Sequence, residues 1–236
     1  MHINLLTFYI NIELLYNNIE LFSTLFLIDL FLPLLYNYTV EKWRILYALK
    51  GEIQMYHSMK IAGLDRNLPL CPLNEKLQIG AFVMFGDAEL TVACADALLK
   101  KAPEFDYIIT AEAKGIPLAH EMSRQSGKKY FVARKKPKLY MTGVFDVVVN
   151  SITTEGEQHL YLDTAEAEQM KGKKVIIVDD VISTGESLKA VEKLIEMAEV
   201  EYAGALAVLA EGEAADRKDI IYLEKLPLFD AEGNVL

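Results

Sequence analysis

Four consecutive β-branched residues, Val175, Ile176, Ile177 and Val178, run directly into Asp179 and Asp180 and then into Val181-Ile182-Ser183-Thr184-Gly185-Glu186-Ser187. An unbroken apolar run of this kind reads as a strand buried on both faces, as in the middle of a parallel sheet. From Leu188 onward the apolar positions Leu188, Val191, Leu194, Ile195 and Ala198 recur at helical spacing, so residues 183–187 join the strand to a helix. The first turn of a helix carries unpaired N–H groups and partial positive charge. Gly185 permits a tight turn there, and Ser183, Thr184 and Ser187 add hydroxyl donors, which makes the loop a candidate phosphate site. Asp179 and Asp180 are too negative to hold a phosphate, but they can accept hydrogen bonds from sugar hydroxyls or sit near a metal. A phosphate cradle beside a diol acceptor points to a phosphorylated sugar. The plainer alternative is two acids capping a solvated loop around an ordinary glycine turn.

The remaining chain narrows the choice. With 236 residues, 52% hydrophobic and 10% aromatic, it can bury a full core. A formal net charge of −10 disfavours nucleic acid as the main partner. Only Cys71 and Cys94 are present, with no Cys-x-x-Cys, which argues against a disulfide framework or structural zinc and fits a reducing cytoplasm. There is no P-loop signature and no Gly-x-Ser-x-Gly, and His2, His57, His120 and His159 form no catalytic set; each reads as an ordinary surface or core residue.

Residues 1–54 differ in composition and are read as an atypical hydrophobic extension ahead of a domain at 55–236. The apolar run 21–35 is short for a membrane span and contains Asp29 and Pro33. An added or mis-assigned start, with translation beginning at Met55 or Met59, ranks ahead of a hydrophobic appendage and of a membrane anchor. Next come an irregular, proline-bounded stretch (61–72), a strand-like run (77–85), and a helix through Lys101 capped by Asp87. A second strand-loop-helix unit follows at 107–127, with Lys114-Gly115 in its turn, Pro117 in the first helical turn and Gly127 at the end. The strand 129–133 empties into Arg134-Lys135-Lys136-Pro137-Lys138-Leu139, a cluster of cations suited to clamping pyrophosphate, with a solvated basic turn as the alternative. Two alternating runs, 145–150 and 159–162, flank the polar tip 153–158 and predict a hairpin. Further strands are expected at 202–210 and 220–223. Strands alternating with helices imply a mainly parallel sheet covered by helices on both faces.

The run from Val175 to Ser187 resembles the phosphoribosyl pyrophosphate (PRPP) motif of the type I phosphoribosyltransferases. Lys114-Gly115 looks like that family's pyrophosphate loop, and Arg134 to Leu139 resembles the basic segment of its adenine-specific members. Glu186 departs from the pattern, since purine-specific members often carry a second glycine there. The resemblance covers roughly residues 60–236 and implies an α/β type I phosphoribosyltransferase fold: a mainly parallel central sheet flanked by helices, a small hood and a mobile β-hairpin lid. It implies transfer of phosphoribose from PRPP to a purine, adenine being favoured, with release of pyrophosphate. It also implies Mg²⁺ bound through PRPP rather than by direct protein ligands, and a cytoplasmic homodimer without nucleic-acid or membrane partners. Residue by residue, Ser183, Thr184, Gly185, Glu186 and Ser187 would hold the 5′-phosphate, and Asp179 and Asp180 the ribose diol. Ala113, Lys114, Gly115, Arg134, Lys135 and Lys138 would take the pyrophosphate. Glu155 and Glu157 are the candidates for a lid carboxylate near the reacting centre, and Phe229 would pack on the base or in the core. The competing readings are a PRPP-binding regulator without catalysis, or an enzyme of this family acting on xanthine or another base.

Overall fold

The computed structural model of the chain describes residues 55–149 and 158–236. The expected N-terminal extension, and the hairpin tip with Glu155 and Glu157, lie outside the described residues.

The described chain opens with an antiparallel hairpin, β1 (Tyr56–Ile61) and β2 (Leu64–Pro72), where the sequence suggested irregular structure. The pairing is possible because Ala62 and Gly63 both take left-handed conformations, φ 47° and 87°, giving a two-residue turn whose twist suits the flanking strands. Pro69 is accommodated too, its carbonyl accepting from the Ala81 N–H at 2.8 Å. The expected strand at 77–85 is only β3 (Gln78–Gly80). Beyond it Phe82 and Met84 are buried while Val83 and Phe85 are exposed, so the apolar alternation persists without a ladder. Helix α1 (Ala88–Leu99) follows. As expected, Asp87 caps it, accepting from the Leu90 N–H at 3.0 Å. Arg66 of β2 forks onto the same carboxylate at 2.7 and 3.1 Å, which ties the hairpin to the helix start.

Five strands make the central sheet: β4 (Tyr107–Ala111), β5 (Tyr130–Ala133), β8 (Lys174–Ile182), β9 (Glu201–Glu211) and β10 (Ile220–Leu226). They are all parallel, in the order β10-β9-β8-β4-β5. Helix α2 (Ile116–Ser126) begins with Pro117 in its first turn and ends at Gly127, φ 70°. Strands β6 (Val144–Val149) and β7 (Gln158–Asp163) pair as the expected hairpin, leading into α3 (Thr164–Met170), which the sequence reading did not anticipate. Helix α4 (Glu186–Met197) follows β8. The closing β11 (Leu228–Phe229) leaves the main sheet to pair with β3, so β1, β2, β3 and β11 form a small second sheet, the hood.

The core confirms that β8 is buried on both faces. Val175 and Ile177 pack with Leu188, Val191, Leu194 and Ile195 of α4 and with Met170 of α3. Ile176 and Val178 pack on the other face with Leu90, Cys94 and Leu98 of α1 and Leu118 and Met122 of α2. At about 1.5–3 kcal/mol for each buried aliphatic side chain, this double layer fixes β8 in the sheet centre more firmly than helix propensity could. Among the described residues no helix is long and apolar enough to cross a membrane.

The Arg66 guanidinium holds the Asp87 carboxyl below the usual carboxylate range. A depressed folded value means the cap stabilises above the unfolded pKa, near 3.9, and is lost as pH falls through the lower folded value. Asp87→Ala is expected to lower the unfolding free energy by about 1 kcal/mol at pH 7, with a smaller deficit at pH 3, in urea titrations. An equal deficit at both pH values would show that the Arg66 contact contributes nothing.

Candidate active site

The chain winds from β4 to β5 in one direction and places β8 on the other side of β4. At such a reversal the loops leaving adjacent strands diverge, and a crevice opens at the carboxyl ends. Here the crevice lies between residues 111–115 after β4 and residues 183–185 after β8. The aspartate pair is not beyond the strand, as the sequence suggested, but within its last turn of pleat, because β9 continues to pair with β8 as far as Ile182.

Gly115 is what lets the two sides meet. A side chain there would fall within contact distance of Thr110 Oγ1, 3.0 Å from Asp179 Oδ1 and 3.2 Å from the Val178 carbonyl. The neighbouring Lys114 reaches across so that its Nζ lies 3.2 Å from Asp180 Oδ2. That contact is charge to charge without hydrogen-bond geometry, and Asp180 Oδ2, on a residue only 3% exposed, has no hydrogen-bond partner. Asp179 Oδ1 accepts from the Asp180 N–H at 2.9 Å. Burial, reinforced by the adjacent Asp180 charge, pushes the Asp179 carboxyl well above its ordinary value. The peptide between Glu112 and Ala113 is cis.

Past β8 the chain surrounds a small cavity of ≈ 40 Å³, walled by Asp179 and residues 181–188. Gly185 takes φ 79° at the N-terminus of α4, a conformation that favours glycine, while Ser183, Thr184 and Ser187 are exposed around it. Glu186, the departure from the motif, has its carboxylate 2.8 Å from Lys189 Nζ, so a cation on its own helix offsets the added charge. The basic segment leaves the sheet beside the Lys114 turn, since Ala133 pairs with Ala111. Glu112 binds the two together, its Oε2 accepting from the Lys135 N–H at 2.9 Å and its Oε1 lying 3.6 Å from Arg134 Nη1. The Arg134 and Tyr161 backbones exchange hydrogen bonds at 2.7 Å each way, anchoring the hairpin base to the same segment. The side chains of Lys135 and Lys136 are exposed.

A family profile described as a phosphoribosyl transferase domain matches residues 90–230, which takes in the crevice, both loops and the basic segment. The chain belongs to the phosphoribosyltransferase family. The hypoxanthine/guanine phosphoribosyltransferase of Methanococcus voltae is 38% identical over 112 residues, 48% of this chain and 56% of that protein, so this match spans little more than half of the relative. Its counterpart from Methanothermococcus okinawensis is 30% identical over 161 residues, 65% of this chain and 84% of that protein. Among solved structures, the adenine phosphoribosyltransferase of Thermoanaerobacter pseudethanolicus superposes with a TM-score of 0.53 at 23% identity, over 60% of this chain and 84% of that one. The Saccharomyces cerevisiae enzyme, solved in a complex containing adenine, gives 0.52 at 20% identity, over 76% and 97%. These likenesses establish the type I phosphoribosyltransferase fold.

The structure brings together Asp179, Asp180, Lys114, Gly115 and the 183–187 loop, and it sets Arg134 and Lys135 beside them through Glu112. Phe229, expected to pack on the base or in the core, is 1% exposed, its ring centroid 4.9 Å from that of His57, which places it in the hood core. Two further residues of the crevice, Glu112 and Thr110, are not legible in the sequence. The Thr110 hydroxyl is fully buried without a hydrogen-bond partner beside Gly115. Glu112 carries no local signal because its partners, Arg134 and Lys135, are distant in sequence.

Gly115→Ala is expected to destabilise the fold by about 1–3 kcal/mol through overpacking, with Thr110→Ala in the same chain restoring part of the loss in a thermal melt. Asp179→Asn is expected to act in the opposite direction. A carboxyl whose folded pKa is raised opposes folding once pH exceeds its unfolded value, so the isosteric amide should stabilise by about 1 kcal/mol at pH 7 and by less below pH 4. Unchanged melting at pH 7 would mean that the pair is solvated rather than buried.

Proposed function

We propose that this chain is a purine phosphoribosyltransferase, joining a purine base to the phosphoribose of PRPP with loss of pyrophosphate. The observation that carries the reading is the pair of the half-buried Asp179, which lines the cavity of the anion-accepting loop, and the buried Asp180, which faces Lys114. The amides and hydroxyls of Ser183, Thr184, Gly185, Glu186 and Ser187 hold the 5′-phosphate, and the carboxylates accept the ribose hydroxyls. Carbon 1 of the ribose develops positive charge as the pyrophosphate leaves, so the site works by placed charge rather than by a nucleophile: carboxylates below the ring, cations at the departing group. Lys114 and the Ala113–Gly115 turn, with Arg134, Lys135 and Lys138, meet the pyrophosphate.

Asp180 Oδ2, buried and facing Lys114 Nζ at 3.2 Å without a hydrogen bond, fits a site beside a phosphate-bound Mg²⁺. The cation would be held mainly by the phosphates of the substrate. Bound there, Mg²⁺ would neutralise charge on the departing pyrophosphate. The activity is assigned to the domain at 55–236.

For the base, the relatives named hypoxanthine/guanine phosphoribosyltransferases at 38% and 30% identity favour a 6-oxopurine. Adenine is the second reading, favoured by the Arg134 to Leu139 segment. Incubating the full chain with PRPP, Mg²⁺ and each of adenine, hypoxanthine, guanine, xanthine, uracil and orotate should yield a monophosphate from a purine alone. The double change of Asp179 and Asp180 to asparagine should reduce that rate at least about 100-fold. PRPP binding without turnover on any base would replace the enzyme reading with that of a PRPP-binding regulator.

A further inference from the structure

Gly185 is shaped by more than its backbone angle. A Cβ built on it would lie 2.6 Å from Nη1 of Arg217, a residue that follows the 3₁₀ turn Gly212–Asp216 and lies more than thirty positions away in sequence. The guanidinium therefore fills the space a side chain at 185 would need. Its other edge is fixed: Nε donates to Asp219 Oδ1 at 2.9 Å and Nη2 to Asp219 Oδ2 at 2.5 Å, a fork that turns Nη1 toward the loop. Glu192 of α4 and Tyr202 of β9 also face the group, which is largely covered by protein.

A cation beside the first turn of a helix faces the positive end of the helix dipole and is disfavoured there. The arrangement becomes favourable once an anion occupies the turn. The Arg217–Asp219 pair is in effect a dipole with its positive end against the phosphate loop.

We propose that Arg217 is a positioning residue for the phosphate-binding loop, holding the Gly185 backbone in its left-handed conformation and adding positive potential behind the amides that take a phosphate monoester. This rests on the reading that residues 183–187 bind the 5′-phosphate. Arg217 does not touch the substrate; it acts through the loop.

The test is calorimetric titration of the full chain with ribose 5-phosphate and, separately, with pyrophosphate. Arg217→Met keeps most of the side-chain volume and removes the charge. It should weaken ribose 5-phosphate roughly five- to tenfold, leave pyrophosphate binding unchanged, and raise the KM for PRPP while kcat shifts less than about twofold. Arg217→Lys should recover part of the affinity. Asp219→Asn, which keeps the arginine and weakens its anchor, should impair the same ligand selectively if the methionine variant does not fold. Wild-type affinity for ribose 5-phosphate in these variants, or an equal loss for both ligands, would overturn the role of Arg217. Failure of the unsubstituted protein to bind ribose 5-phosphate, with pyrophosphate still bound, would instead overturn the loop assignment and the proposal with it.

Discussion

Two adjacent carboxylates at the end of a strand buried on both faces are the constraint that the site is built around. Asp180 is 3% exposed, and Asp179 is held well above its ordinary pKa by burial and by its neighbour's charge. Charges taken out of water are costly unless paired, and the protein supplies only Lys114 at 3.2 Å, without a hydrogen bond to the near oxygen. The double-layered core is what tolerates this. With Val175 and Ile177 locked on one face and Ile176 and Val178 on the other, the strand end cannot withdraw to solvate its acids. Stability forgone in this way is the usual cost of a preorganised site.

The overall charge of −10 conflicts with a polyanionic substrate only if charge is averaged over the surface. Locally the signs are segregated. The carboxylates form the floor where a sugar ring would develop positive charge. The N-terminus of α4, Lys114, and Arg134 with its neighbours occupy the rim where phosphates would lie, and clefts of this kind focus the field far more than net charge suggests. Glu186 would disturb this pattern, but Lys189 one turn along neutralises it. Glu112 serves the rim differently: by accepting from Lys135 N–H and facing Arg134, it makes the two cationic loops a single unit.

Sequence made the β8 to α4 unit legible because burial on both faces leaves an apolar run with no alternation, and because the apolar positions of α4 recur at a helical period. Pro117 and Gly127 marked α2 for equally local reasons. The hood was harder to read. Its first hairpin turns at Ala62, a residue whose left-handed conformation leaves no compositional trace, and its strands contain prolines that normally punctuate. The apolar run at 77–85 has strand-like alternation, but it pairs with β2 and β11 only as far as Gly80. Glu112 gains its role from Arg134 and Lys135, which only the folded sheet brings near, information that no single window contains.

The base end of the crevice follows a different logic from the sugar-phosphate end. Leu226 still pairs with Glu211 at the close of β10, and two residues later Leu228 pairs with Ile79 in the hood, so one short segment through Pro227 joins the catalytic sheet to the cover. A base lying between ribose and hood would meet that junction. Phe229 is already committed to the core against His57, and its ring is closed to stacking in this arrangement. Discrimination among purines would then fall to main-chain groups and loop side chains of the hood, which vary more readily than a buried strand. The family profile spans residues 90–230, so it takes in the parallel sheet and the loops after β4 and β8 and leaves β1, β2 and β3 of the hood outside it.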